Sequence, residues 1–240
     1  MSEDRCSPNK RSGSKWFEAL LDSHDDIRSR GEIFRDVGRR CNMTVIRKVL
    51  DKLFGRSKKN CFYAVGFKWM LNQGVLDNHE EIVDYFNRRG VSLVLLFRRN
   101  HLRRLVSLKA NNHDGIAKDV NGTHRAHVFS KEEAEILGKY KPKLYIKGLI
   151  PTLEHMERLA TDTLNNFRST RHMLVYYEDL VRNQTKMNEV LEFLKVPQRK
   201  LISGHVKIHT RPLAQQVGNW RDVVKAIMRT KYRGLITVND

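Results

Sequence analysis

Two cationic stretches carry the residue types from which phosphate chemistry could be built. The first is Arg11-Ser12-Gly13-Ser14-Lys15-Trp16, a small basic turn that runs into an amphipathic segment. A helix N-terminus presents unpaired N–H groups and a partial positive charge, which together hold an anion. Gly13 lets backbone approach closely, Ser12 and Ser14 offer hydroxyls, and Arg11 and Lys15 add full charges. The same residues also read as a helix cap with incidental basic neighbours. They are not a Walker A loop: there is no Gly five residues before Lys15, and Trp16 stands where a magnesium-binding Ser or Thr belongs. ATP or GTP hydrolysis is disfavoured. The second stretch is the apolar run Val91 to Phe97 followed by Arg98-Arg99-Asn100, with Ser107 eight residues beyond Arg99. A buried strand ending in arginine places a cation at the carboxyl edge of a sheet, where open α/β folds bind ligands. The alternative is a solvated helix face made of Arg98, Arg99, Arg103 and Arg104.

The elements that must position these residues follow from periodicity. Cys61 to Phe67, Val91 to Phe97 and Met173 to Tyr177 read as buried strands, being apolar, β-branched or aromatic throughout. Trp16, Phe17, Leu20 and Leu21 make one apolar face over about 14–24, and Val45, Ile46, Val49, Leu50 and Leu53 make another. A third helix is expected over 77–89, with Glu80 and Glu81 early, Arg88 and Arg89 late, and Gly90 as its stop. Later helices are expected over about 100–111, 131–140, 152–169, 184–195 and 213–228. Asn112 to Phe129 is polar and reads as a long connection. Strands alternating with helices indicate an α/β fold with a largely parallel sheet covered on both faces.

Composition narrows the partners. The 240 residues suit one domain, or one domain with a small extension, and 40% hydrophobic content supports a globular core. No run approaches the ~18 apolar residues of a membrane-spanning helix, and the polar opening Met1 to Lys10 predicts no secretory signal. Cys6, Cys41 and Cys61 are too few and too scattered for a disulfide framework or a zinc site and are expected as buried thiols. The ten histidines show no metal-site spacing; His113, His124 and His127 are expected to face solvent. Lys+Arg 45 against Asp+Glu 27 gives a net charge of +18, which attracts polyanions: nucleic acid, anionic glycan, acidic lipid or phosphorylated small molecules. Asn42, Asn121 and Asn183 each open a glycosylation sequon.

Taken together, five segments in order resemble the sulfotransferases that use 3′-phosphoadenosine 5′-phosphosulfate (PAPS), and most closely plant sulfotransferase-like proteins and the bacterial nodulation-factor sulfotransferase. Arg11 to Trp16 looks like that family's 5′-phosphosulfate loop. Arg99, Asn100 and Ser107 resemble its 3′-phosphate segment, including the interval. Gly31-Glu32-Ile33-Phe34, then Tyr176-Tyr177-Glu178-Asp179-Leu180, then Arg211-Pro212-Leu213 with Gly218-Asn219-Trp220, complete the likeness. The resemblance implies a three-layer αβα domain of the P-loop nucleoside triphosphate hydrolase type over 11–228, flanked by a polar segment 1–10 and a tail 229–240. It implies metal-free sulfuryl transfer from PAPS to a hydroxyl or amine of a glycan or other acceptor. Arg11 would steady the leaving oxygen; Ser12, Gly13, Ser14 and Lys15 would hold the 5′-phosphate. Arg99 and Ser107 would hold the 3′-phosphate, with Arg211, Gly218, Asn219 and Trp220 closing over the nucleotide. Trp16 would pack near adenine or serve as core. Many members carry Lys-x-His after the second strand; Lys68-Trp69-Met70 keeps the lysine and lacks the histidine. Carbohydrate-type and bacterial members can use a glutamate after the first helix, and Glu32 occupies that place. The resemblance thus implies Glu32 as the base, with Lys68 a cation beside the transferring group; the bland reading pairs Glu32 with Arg30 or Arg35.

Two features depart from that pattern. The residues ahead of Arg11 contain no β-branched or aromatic run, and Pro8 cannot donate to a central ladder, so the first central strand is expected to be missing or degenerate. A truncated or alternatively started version of a longer protein is the expectation, cytoplasmic as it stands, with a Golgi anchor in a longer form. Lys15 stands where the family has a hydroxyl. Two other functions stay open: a polyanion- or nucleic-acid-binding protein, and a catalytically inactive relative that only binds nucleotide.

Overall fold

The structure, a computed structural model, describes residues 13–55, 62–119, 139–204 and 211–237. It is mixed α/β and divides into two compact units, 1–97 with 159–203, and 98–158 with 204–240.

The first unit holds all four described strands: β1 (Ile27–Ser29), β2 (Ala64–Gly66), β3 (Leu93–Phe97) and β4 (His172–Tyr176). They make two separate two-stranded parallel sheets, not one continuous sheet. β1 pairs with β2 from Ile27↔Ala64 to Ser29↔Gly66, and β3 with β4 from Leu93↔His172 to Phe97↔Tyr176. Helix α1 (Ser14–Asp22) precedes β1 and buries Phe17 and Leu20. Helix α2 (Met43–Phe54) starts where Asn42 Oδ1 accepts the Val45 N–H at 3.0 Å, satisfying one of the orphan donors of its first turn. Helix α3 (His79–Arg89) carries the expected charges at each end and stops at Gly90, whose φ of 65° is the left-handed cap. One core gathers Phe34, Ile46, Leu50, Ile82, Phe86 and Phe167. A second gathers Phe17, Leu20, Ile27, Val175, Val190 and Leu191 under α1 and β4.

The second unit is built on α4 (His101–Asp119), which buries Leu102, Leu105 and Val106 with Leu149, Leu153, Val223 and Ile227. Helix α5 (Leu149–Asn166) begins here and ends in the first unit, where α6 (Tyr177–Arg182) and α7 (Gln184–Phe193) follow β4. Helices α8 (Leu213–Gln216) and α9 (Trp220–Ile227) complete the second unit, with a 3₁₀ stretch at Lys231–Ile236.

Several expectations shift. The strand expected over 61–67 narrows to β2 (Cys61 lies outside the described residues), 91–97 becomes 93–97, and 173–177 becomes 172–176 because Tyr177 already opens a helix. Residues 112–119, expected as loop, continue α4; 120–129 lie outside the described residues. The single helix expected over 213–228 breaks at Val217-Gly218-Asn219: the Gly218 N–H bonds Pro142 O at 3.0 Å, and Asn219 pairs with Leu144. Of the helix expected over 131–140, residues 139–140 are not helical and the rest lie outside the described residues. Cys41 is exposed rather than a buried thiol; Cys6 and Cys61 lie outside the described residues. His113 is exposed as expected and stacks on Tyr140 with ring centroids 3.6 Å apart; His124 and His127 lie outside the described residues. The Asn42 and Asn183 side chains both serve as helix N-caps, and Asn121 lies outside the described residues.

Candidate functional site

In the first unit, three segments bring Lys15, Glu18, Glu32 and Lys68 into one electrostatic cluster. Lys15 and Glu18 lie one turn apart on α1. Glu32 follows the turn after β1, where Gly31 takes φ 67°; Lys68 follows β2. The β1–β2 pairing extends into these turns, since Arg30 donates to Gly66 O and Lys68 N–H to Gly31 O, both at 2.9 Å. That ladder fixes Glu32 and Lys68 as neighbours.

Lys68 Nζ lies 2.9 Å from Glu32 Oε1 and 3.1 Å from Glu18 Oε2, and only 12% of its side chain is exposed. The second oxygen of each acid is also engaged: Gln73 Nε2 donates to Glu32 Oε2 at 3.1 Å, and Ser29 Oγ donates to Glu18 Oε1 at 2.7 Å. Gln73 is held in turn, its Oε1 accepting the Met70 N–H at 3.2 Å. Burial pushes the Glu32 carboxyl up, but hydrogen bonds from Lys68 and Gln73, with the charges of Lys68 and Arg35, outweigh it and hold Glu32 below the ordinary carboxylate value. Lost hydration is the first cause that lowers Lys15, and repulsion from Lys68 the next; Glu18 and Glu32 act against both. Glu32 makes its direct contacts with Lys68 and Gln73, while Arg35, one of the two arginines of the bland reading, acts on it through charge.

Gly13 ends the described chain at the head of α1 with φ 87°. A Cβ there would stand 2.2 Å from Tyr177 Cδ2, so the close approach needs glycine for space as well as for conformation. Tyr177 also meets Trp16 edge-on, with centroids 5.6 Å apart. Trp16 is half-buried beside the core under α1. Ser14 opens the helix; Arg11 and Ser12 lie outside the described residues.

The 3′-phosphate candidates belong to the second unit. Arg99 is exposed just ahead of α4, and Ser107 is buried on that helix. Asn100 caps it, Oδ1 accepting the Arg103 N–H at 2.9 Å while Nδ2 donates to Leu235 O at 3.1 Å. The solvated-face reading fails for Arg103 and Arg104, which are 8% and 3% exposed. Arg103 Nη1 donates to Arg211 O at 3.3 Å, so the start of α4 holds the Arg211 backbone. Asn219 is locked to Leu144 by bonds of 2.9 Å in both directions, and Trp220 packs on the second unit's core. Gly218 lies tight against the chain ahead of α5: a Cβ would be 3.1 Å from Lys141 O.

Sequence reasoning missed Glu18, Gln73 and Ser29. Glu18 had a signal, its one-turn spacing from Lys15; Gln73 had none, because the π-helical turn Leu71–Val75 that aims it depends on Gly74 at φ 81°. Among the described residues, no group of three or more His, Cys, Asp or Glu side chains is arranged to hold a metal ion, and no helix is long and apolar enough to cross a membrane. No protein-family model matches the chain, and no curated protein sequence matches it either.

Proposed function

We propose that this protein is a PAPS-dependent sulfotransferase, moving a sulfuryl group to a hydroxyl or amine of an acceptor such as a glycan. The observation that carries the reading is the Glu32–Lys68 pair beside Lys15, one turn from the left-handed Gly13. It puts a carboxylate and two cations at the head of a helix whose sequence, with four other segments, resembles the PAPS-binding family.

The chemistry needs little covalent help from the protein. The acceptor oxygen attacks sulfur in line, its O–H proton passes to the Glu32 carboxylate, and the bond from sulfur to the bridging oxygen breaks. The electron pair stays on the 5′-phosphate of departing 3′-phosphoadenosine 5′-phosphate (PAP). Position and positive charge at the bridging oxygen supply the acceleration. Lys68 is suited to that place. While it binds Glu32 it keeps the carboxylate a weak base; on turning toward the phosphosulfate it would neutralise the leaving charge and raise Glu32 toward its ordinary basicity. By the resemblance, Arg11 is assigned to the leaving oxygen, Ser12, Gly13, Ser14 and Lys15 to the 5′-phosphate, Arg99 and Ser107 to the 3′-phosphate, and Arg211, Gly218, Asn219 and Trp220 to the nucleotide's cover.

Transfer of radiolabelled sulfate from PAPS to a panel of glycan, phenol and amine acceptors tests the reading; label in any acceptor, lost with Glu32→Gln, supports it. The net charge of +18 favours a second reading, a polyanion-binding protein. Heparin or RNA binding without any PAP binding would select it.

A further inference from the structure

Glu32 presents its two carboxylate oxygens to different kinds of partner. Oε1 lies 2.9 Å from Lys68 Nζ, an ammonium that also holds Glu18 Oε2 at 3.1 Å. Oε2 accepts from Gln73 Nε2 at 3.1 Å. Lys68 has a second carboxylate to hold and can leave Oε1 without being stranded. Gln73 has no such freedom. It is 6% exposed, and its side chain is tied back to its own turn. Its Oε1 accepts the Met70 N–H at 3.2 Å, while its backbone N–H donates to Met70 O at 2.8 Å. A backbone N–H can only donate, so the amide atom facing Met70 is the oxygen and the one facing Glu32 is the NH2 group. The polarity of the contact is thereby fixed.

The π-helical turn Leu71–Val75 that carries Gln73 is fastened by side chains. Its consecutive carbonyls Asn72 O, Gln73 O and Gly74 O accept from Arg40 Nη1 at 2.7 Å, Trp69 Nε1 at 2.9 Å and Asn78 Nδ2 at 2.9 Å. Trp69 stacks in turn on Phe34, ring centroids 4.1 Å apart, and Phe34 is fully buried two residues after Glu32. One packed unit therefore sets both ends of the Gln73–Glu32 contact. Single π turns recur at functional sites, and here the turn aims a neutral donor at the acid.

The bond from Gln73 does not depend on the charge of Glu32. Oε2 accepts an N–H as a carboxylate oxygen and equally as the carbonyl oxygen of the protonated acid. Oε1 differs: it is the oxygen uncovered when Lys68 moves to Glu18 or to an incoming anion. We propose that Gln73 is a positioning residue for Glu32, keeping Oε2 in both protonation states so that Oε1 is the atom that takes the acceptor's proton. This rests on the reading of Glu32 as the base. The charges around the carboxyl are Lys68, which follows β2, Glu18 and Lys15 on α1, and Arg35 on the segment of Glu32 itself. Burial raises the carboxyl; the Lys68 bond and charge, the Gln73 bond and the Arg35 charge together lower it by more.

The experiment compares the full chain with Gln73→Glu and Gln73→Met. Glutamate keeps the volume and an acceptor for the Met70 N–H but turns a carboxylate oxygen, not a donor, toward Glu32. Methionine removes both bonds. Carbon-13 NMR of carboxyl-labelled glutamate gives the titration midpoint of Glu32, whose signal is identified by its loss when Glu32→Gln is added to each version. Sulfate transfer from PAPS gives kcat and KM. In Gln73→Met the midpoint should rise by about half a pH unit, and in Gln73→Glu by about one or more, because two carboxylates then share a proton. The acid limb of kcat should move with the midpoint, kcat should fall about tenfold in Gln73→Glu, and KM for PAPS should stay within about twofold. A bracing role alone, exerted through Met70, gives the reverse order: Gln73→Glu like the parent and Gln73→Met impaired. That order, or a midpoint unmoved in both variants, overturns the proposal. Should the parent transfer no sulfate, sulfuryl transfer fails as the function; raised midpoints then still support the hold of Gln73 on Oε2, and unmoved ones still refute it.

Discussion

Lys68 Nζ lies 2.9 Å from Glu32 Oε1, and the same ammonium holds Glu18 Oε2 at 3.1 Å. One largely buried cation thus keeps two carboxylates together, and it stands at the end of a strand whose neighbour delivers Glu32. Stability and the proposed chemistry both depend on it.

Replacing Glu32 by Gln keeps the shape and the Lys68 contact but removes the base. Turnover should fall by about 100-fold or more while PAP affinity changes little. Single-turnover transfer and calorimetry on the same variant check the pair of outcomes; unchanged turnover would take Glu32 out of the mechanism.

Lys68→Met leaves Glu18 and Glu32 facing each other without their cation. The variant should lose about 2 kcal/mol at pH 7, since removing one partner of a buried pair strands the other charges. Part of that loss should be recovered near pH 4.5, where one acid takes up a proton. Urea unfolding at the two pH values measures both.

Acid sensitivity follows from the depressed Glu32 carboxyl. A group whose folded pKa is below its unfolded value contributes stability that is fully present above the unfolded value, here the ordinary 4.5, and is lost as pH falls through the folded value. Stability from pH 6 downward should therefore decline less steeply in Glu32→Gln than in the parent. Parallel acid limbs would contradict the assignment.

Gly13→Ala meets both a left-handed φ and the Tyr177 ring. A loss of about 1–3 kcal/mol is expected, with the head of α1 displaced. Adding Tyr177→Ala should relieve only the steric part, so thermal unfolding of the double variant should remain below that of Tyr177→Ala alone.

How much of this was legible in the sequence depends on what each residue answers to. Helix α3 could be read nearly residue by residue because its charges and Gly90 are local signals of the helix dipole and the left-handed cap. The apolar runs gave three of the four described strands, but not β1, whose three residues Ile27–Ser29 form no apolar run. Nor did they give the strand ends: Tyr177 is apolar enough for a strand and instead opens α6, where it packs on Gly13. The break at Gly218 was hidden because its bonding partners, Pro142 and Leu144, are far away in sequence. Lys68 and Glu32 were singled out by resemblance, and their contact is a consequence of the short β1–β2 ladder. Gln73 and Ser29, which fix the two acids, carry no motif and follow only from that tertiary arrangement.

The proposed function rests on PAP recognition by two segments taken from the sequence resemblance, Gly13–Lys15 for the 5′-phosphate and Arg99 for the 3′-phosphate. Calorimetric titration of the chain with PAP tests it most directly. The account predicts micromolar binding, weakened at least tenfold by Lys15→Ala and abolished by Arg99→Ala. Absence of PAP binding, or binding indifferent to Arg99 and matched by heparin, would contradict it.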